Sequence, residues 1–184
     1  SCALHAVEVR EEIAPAQGKA IHWLLLTTHE VASAARAVEI LDLYRGRWTI
    51  ELVFRTLKSA GFRIEDIELL DPKAVVTFAA AATIASVTVM QLVKARDGDS
   101  ARPLEDCFET SDGPLIEALS VRLEGSTSRQ KNPHPKGSLA FASWVIARLG
   151  GWTIYYGKPG AAVMRHGLDR FYSIRLGTQV GRDL

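Results

Sequence analysis

Residues 44–58 read Y-R-G-R-W-T-I-E-L-V-F-R-T-L-K, and the rest of the chain is organised around this stretch. After Gly46 it contains no glycine or proline, and its apolar residues recur at helical spacing, which predicts a helix. At about 100° per residue, aromatic and basic side chains fall within about 60° of Glu51 on either side. They are Tyr44, Arg47, Trp48, Arg55 and Lys58. An adjoining arc, expected to face a core, holds Leu43, Ile50, Val53 and Leu57.

The charges around Glu51 fit two interpretations. In the first, Glu51 forms exposed ion pairs with its basic neighbours, each worth about a few tenths of a kcal/mol. In the second, Glu51 binds a divalent metal while the basic residues and Tyr44 hold phosphate. Trp48 then stacks on an unpaired base, or else belongs to the core. Spacing alone favours the ion pairs, because charge runs are usually solvated helix faces.

Four residues of the stretch, Tyr44, Arg47, Glu51 and Lys58, fit the spacing Y-x2-R-x3-E-x6-K. This spacing resembles the signature of bacterial insertion-sequence transposases, which carry an RNase H-like DDE catalytic domain. The surroundings are similar too: W-L-L-L-T-T at 23–28 precedes the signature, and L-G-G-W at 149–152 is followed by P-G and a helix. With this resemblance, the metal-binding interpretation of Glu51 is favoured.

The resemblance implies metal-dependent cleavage and strand transfer at the phosphodiester bonds of DNA, with two Mg²⁺ ions about 3.5–4 Å apart. In that family two aspartates precede the glutamate, and the three carboxylates hold the metals. Glu51 would be the catalytic, metal-binding glutamate, and the aromatic and basic residues around it would bind DNA. Before Glu51 the chain has one aspartate, Asp42, on the approach to the helix. We therefore expect the C-terminal part of a longer transposase that does not cleave DNA by itself.

The predicted fold class is α+β, with two strands from the end of an RNase H-like domain followed by a mostly helical region. Residues 5–13 alternate apolar and polar, which predicts a half-buried strand. Residues 20–28 have a continuous apolar centre, which predicts a strand buried on both faces and paired with the first. We expect a catalytic-domain part at 1–99 and a helical region for dimerisation and DNA contact at 100–184.

Capping residues predict where the helices begin and end. Ser33 and Asp71 suit N-cap positions, Pro72 suits a first helical position and Gly61 suits a C-cap. Residues 34–59 are expected to form one bent helix or two, and residues 72–96 a helix buried on most sides. The remaining expectations are short helices at 104–108 and 114–123, an exposed loop at 125–137, an amphipathic helix at 138–149 and a last helix at 161–176.

Charge is unevenly spread along the chain. Residues 121–184 contain ten Lys and Arg against three acidic residues, a net +7, while the remainder carries −6. A basic C-terminal third fits a polyanion partner, and it fits a soluble helical tail equally well. The alternative to a transposase is therefore a non-catalytic helical module for DNA binding or dimerisation.

Cysteine usage and hydropathy bear on location and partners. Cys2 and Cys107 are far apart, and the histidines lack metal-ligand spacing, so we expect the cytoplasm and no zinc site. Residues 74–93 are uncharged and about long enough to span a bilayer, but their Ala and Thr content favours a buried helix and no membrane partner. The last helix carries Met164, Leu168, Phe171 and Tyr172, which predicts a homodimer unless these residues cover the 72–96 helix.

Overall fold

The computed structural model describes residues 3–13, 18–60, 62, 64–99 and 101–180, and the predicted C-cap at Gly61 lies outside them. Within these residues two strands are followed by helices, which confirms the predicted α+β class. The elements are β1 (His5–Arg10), β2 (His22–Thr27), α1 (Ala34–Gly46), α2 (Trp48–Arg55), α3 (Pro72–Ala95), α4 (Gly113–Leu123), α5 (Leu139–Leu149) and α6 (Ala161–Val180). They divide into two compact units, Ser1–Leu52 and Val53–Leu184.

The first unit is built on a β-hairpin. β1 and β2 pair antiparallel, as predicted, with His5 opposite Thr27. Val7 and Leu25 pack with Ile40 of α1 in a small core. The prediction that β2 is buried on both faces is wrong, because Leu24 and Leu26 are each 67% exposed. Alternate side chains of a strand point to opposite faces, and the described part of this unit covers only the Leu25 face.

The signature stretch forms two helices with a short junction. Ser33 caps α1 as predicted, its Oγ accepting a hydrogen bond from the Arg36 backbone N–H at 3.2 Å. Arg47 lies between α1 and α2 with helical dihedral angles, φ −57° and ψ −33°. The expected apolar face is only partly correct: Leu57 is buried, whereas Leu43 is 64% and Ile50 55% exposed. A helical side chain is buried only where another element packs against it, and along α2 no residue is buried in this way.

The second unit is centred on α5. Ten of its eleven residues are buried, so the predicted amphipathic helix is instead a core helix. It packs against α3, α4 and α6, which together cover every side except that of Arg148. Its one buried hydroxyl, on Ser143, donates to the Leu92 carbonyl at 2.8 Å. The short helix expected at 104–108 is a 3-10 turn, Leu104–Asp106.

Helix α3 is buried at one end and exposed at the other. Asp71 caps it as predicted, accepting from the Lys73 N–H at 3.0 Å. Val76 and Ile84 are 69% and 70% exposed, so the expected burial on most sides is wrong. By length and composition alone α3 could cross a membrane, and 28% of its most apolar window is buried. Its C-terminal half joins α4, α5 and α6 in one core, and the predicted division at residue 99 stays a prediction.

Helix α6 uses its apolar residues inside the chain. Met164, Leu168 and Phe171 are buried against α5 and α3, while Tyr172 is 45% exposed. The alternative that these residues cover the 72–96 helix is thus largely correct. Because these three side chains are buried inside the chain, they no longer support the predicted homodimer.

The crossing of α5 and α6 depends on a glycine, which generates a stability prediction. A Cβ on Gly167 would overlap the Ile146 carbonyl group, whereas Gly177 on the same helix faces open space. We expect Gly167→Ala to lower the free energy of unfolding by about 1–3 kcal/mol through overpacking. Gly177→Ala should raise it by about 0.5–1 kcal/mol through helix propensity. Denaturant unfolding curves measure both, and equal effects would contradict the close approach.

Candidate nucleic-acid interface

The junction of α1 and α2 brings Arg47 against two aromatic rings. Its guanidinium carbon lies 5.7 Å from the centroid of the Tyr44 ring and 5.5 Å from that of Trp48. Tyr44 in turn packs edge-on against Trp23 of β2, with the ring centroids 5.2 Å apart. Cation–π contacts of this kind orient a guanidinium and leave its N–H edge open to an anion. The hairpin therefore supports, through Tyr44, the position of Arg47.

Glu51 lies one helical turn beyond Arg47. Its Oε1 is 3.6 Å from the Arg47 Nη1, and the two side chains are 54% and 52% exposed. An ion pair this long and this accessible to water contributes little to stability. The pair can therefore open at small cost. Arg47 can then bind a phosphate, and Glu51 can bind a cation.

Arg55 and Lys58 belong to the second unit. Arg55 is exposed at the end of α2, and Lys58 lies in the π-helical turn Thr56–Ala60 that follows. The helical projection used above therefore applies only as far as Arg55, because a π-helix has more residues per turn than an α-helix. Lys58 Nζ contacts Glu65 Oε1 at 2.6 Å, and this hydrogen-bonded ion pair raises the Lys58 pKa. The DNA-contact roles of Arg55 and Lys58 stay predictions.

The described residues do not form a two-metal site by themselves. Among them, no three His, Cys, Asp or Glu side chains lie close enough together to hold a metal ion. The carboxylate of Asp42 is directed to Arg45, with its Oδ1 3.2 Å from Nη1. Glu51 can thus supply one ligand, and a Mg²⁺ pair would need carboxylates from outside the described residues.

An open cavity of about 440 Å³ adjoins Tyr44 and Arg47. Its walls are mainly apolar and include Leu24 and Leu26 of β2 and Leu43 of α1, all of which are exposed. Arg47 thus lies at the border between an apolar hollow and the exposed helix surface.

Sequence reasoning placed Tyr44, Arg47, Trp48 and Glu51 on neighbouring turns, and the structure brings these four together in the first unit. It missed Trp23, which it assigned only to the apolar centre of a strand. The available signal was a tryptophan in the strand that precedes the helix carrying Tyr44. That signal does not indicate which aromatic ring the tryptophan contacts.

Comparison with known protein families finds a match in the N-terminal part of the chain. Residues 7–88 match the family model described as a transposase DDE domain. The match begins in β1, includes β2, α1 and α2, and ends within α3, so Arg47 and Glu51 lie inside it. It confirms the predicted relation to DDE transposases, and with the observed strands and helices it supports the RNase H-like fold class.

Proposed function

From the match of residues 7–88 to the transposase DDE domain family model, we propose that this chain is the glutamate-bearing part of an insertion-sequence transposase. The complete enzyme performs metal-dependent phosphodiester cleavage and strand transfer on DNA, in the bacterial cytoplasm. The observation that carries the proposal is the position, inside the matched segment, of an exposed carboxylate beside an arginine held on two aromatic rings.

Each group at the α1–α2 junction suits a part of that chemistry. Arg47 offers a planar fork that matches phosphate oxygens, and its rings keep the fork oriented. Trp48 is 54% exposed and presents a face to an unpaired base. Glu51 is exposed and only loosely paired, which suits a carboxylate that turns to a divalent cation. Arg55 and Lys58 complete the proposed DNA-binding set.

Uncovered apolar surface supports the idea that further polypeptide completes this site. Leu24, Leu26, Leu43 and Ile50 are all more than half exposed. A two-stranded hairpin is marginally stable alone and usually extends into a larger sheet. We propose that the covering segments carry the two missing aspartates and that the three carboxylates together hold Mg²⁺. The chain without them should not cleave DNA.

The DNA-binding part of the proposal is tested with one variant and one matched control. Arg47→Ala should weaken binding to duplex DNA of any sequence and lower the salt slope by about 0.9, since it removes one phosphate contact. Arg36→Ala is the control, because Arg36, like Arg47, is an exposed arginine paired with a glutamate one helical turn further along the chain. Fluorescence anisotropy of labelled duplex across a salt series measures both. A slope unchanged in Arg47→Ala, or lowered equally in Arg36→Ala, would remove Arg47 from the interface.

The catalytic part is tested in a transposase that contains this chain together with the aspartates. Glu51→Gln keeps the shape of the side chain and removes its charge. We expect cleavage in magnesium to be lost while DNA binding survives, because Arg47 still holds phosphate. Folding should change by less than about 0.5 kcal/mol, as for other exposed ion pairs. Near-normal cleavage by Glu51→Gln would favour the alternative function, a helical DNA-binding or dimerisation module, which the separate helical core of the second unit also fits.

The proposal includes a homodimer, which would pair two DNA ends. Met164, Leu168 and Phe171 are buried, so the α6 residues available to a partner are exposed ones such as Tyr172 and Leu176, 45% and 63% accessible. Leu176→Asp should weaken self-association without lowering the thermal midpoint. Sedimentation velocity over a range of concentrations measures this, and a wild-type chain that stays monomeric at high concentration would contradict the dimer.

A further inference from the structure

The loop between α5 and α6 is fixed by hydrogen bonds at both ends. The backbone N–H of Trp152 donates to the Ala147 carbonyl at 3.0 Å, and Arg148 donates to the Trp152 carbonyl at 2.8 Å. The Trp152 indole N–H donates to the Gly157 carbonyl at 3.0 Å, which closes the loop on itself. These contacts leave the loop residues between Trp152 and Gly157 little freedom to rearrange.

Ile154 occupies a strained position within this loop. Its φ is 75°, in the left-handed region that β-branched residues rarely adopt. Its side chain packs against the core of the second unit. Backbone strain of this type persists only where surrounding contacts enforce it, and it concentrates at functional sites. The strained backbone at Ile154 directs its side chain towards the core, and the side chains of the next two residues lie on the surface.

Those two side chains are Tyr155 and Tyr156, 51% and 85% exposed. The Tyr155 hydroxyl accepts a hydrogen bond from the Gln130 side-chain amide at 3.1 Å. The Arg129 guanidinium lies over the Tyr155 ring, 5.3 Å from its centroid. Within the described residues no hydrogen bond or ring contact engages Tyr156. The loop therefore holds the Tyr156 ring mostly in water.

The loops that carry these rings contain several basic residues. The two loops that meet here, residues 125–137 and 150–160, contain four basic residues and no acidic residue. Three are lysines paired with carboxylates of neighbouring segments: Lys131 with Glu124, Lys136 with Glu117 and Lys158 with Asp97. The fourth, Arg129, contacts the Tyr155 ring and no carboxylate in the described part of the chain. Exposed lysine pairs are weak, so these lysines can turn to a phosphate at little cost.

We propose that Arg129, Lys131, Tyr155 and Tyr156 form a second nucleic-acid surface that binds an unpaired DNA strand. A base stacks on the Tyr156 ring, and Arg129 and Lys131 contact the flanking phosphates. Stacking needs a base face that a duplex does not expose, so an exposed ring next to the Arg129–Tyr155 pair in sequence favours a single strand. An acidic peptide would pair with Arg129 and Lys131. It would not explain why Tyr156 is exposed or why the backbone at Ile154 is strained.

The test measures binding of the whole chain to fluorescent oligo(dT) and to a duplex of equal length by anisotropy. Tyr156→Ala should weaken oligo(dT) binding about tenfold and duplex binding much less. Tyr156→Phe should bind like wild type, because the ring remains. Arg129→Ala should lower the oligo(dT) salt slope by about 0.7. Val121→Ala, which truncates another exposed apolar side chain, and Arg36→Ala, which removes another exposed charge, are the controls.

Three results would overturn this second surface. They are wild-type oligo(dT) binding by Tyr156→Ala, an equal loss on oligo(dT) and duplex, and Tyr156-dependent binding of polyglutamate as tight as that of oligo(dT). The last result would assign the surface to an acidic protein. Unfolding curves of Tyr156→Ala should overlay those of wild type, since the ring is mostly exposed. The effect should persist in an Arg47→Ala background, so failure of the α1–α2 site and failure of this surface are separable.

Discussion

Direct backbone contact between α5 and α6 is the constraint on which the second unit depends. At both Gly150 and Gly167 an added Cβ would overlap a carbonyl of the opposite helix. The contact is reinforced by Arg170, which donates to the Leu149 carbonyl at 2.6 Å. Because the helices touch at these points, the buried residues of α6 reach the same core as α5. The same contact fixes the two ends of the 150–160 loop, which presents Tyr155 and Tyr156.

Both units bury a core and leave some apolar residues exposed. Helix α5 buries its apolar run entirely inside the second unit, whereas the N-terminal half of α3 leaves Val76 and Ile84 exposed. The first unit leaves Leu24, Leu26 and Leu43 in water beside the cavity that adjoins Arg47. Large exposed apolar patches mark surfaces that another segment or partner covers. The exposed apolar residues beside Arg47 are why the α1–α2 site is proposed as one part of a larger catalytic centre.

Features set by local chemistry could be predicted from the sequence. The N-caps at Ser33 and Asp71 depend on hydrogen bonds two or three residues away, and both form as expected. The alternation of Val7 and Val9 with charged residues predicted β1, and its pairing with β2 followed. Features set by distant contacts could not be predicted. The burial of α5, the exposure of Ile50 and the packing of Trp23 on Tyr44 all depend on which element faces which side chain.

Each of the two proposed surfaces has an arginine over an exposed aromatic ring, and the two surfaces differ in whether a carboxylate lies beside that arginine. Arg47 lies on Tyr44 and Trp48, and Arg129 lies on Tyr155 beside the exposed Tyr156. In both, a ring orients a guanidinium whose edge remains open to phosphate. Arg47 has a carboxylate next to it, that of Glu51, whereas no carboxylate of the described residues pairs with Arg129. A carboxylate repels phosphate unless a cation lies between them, so its presence beside a phosphate-binding arginine is unfavourable for binding alone. That cost is understandable where a metal joins the two groups, and the absence of a counterpart beside Arg129 fits a surface that only holds a strand.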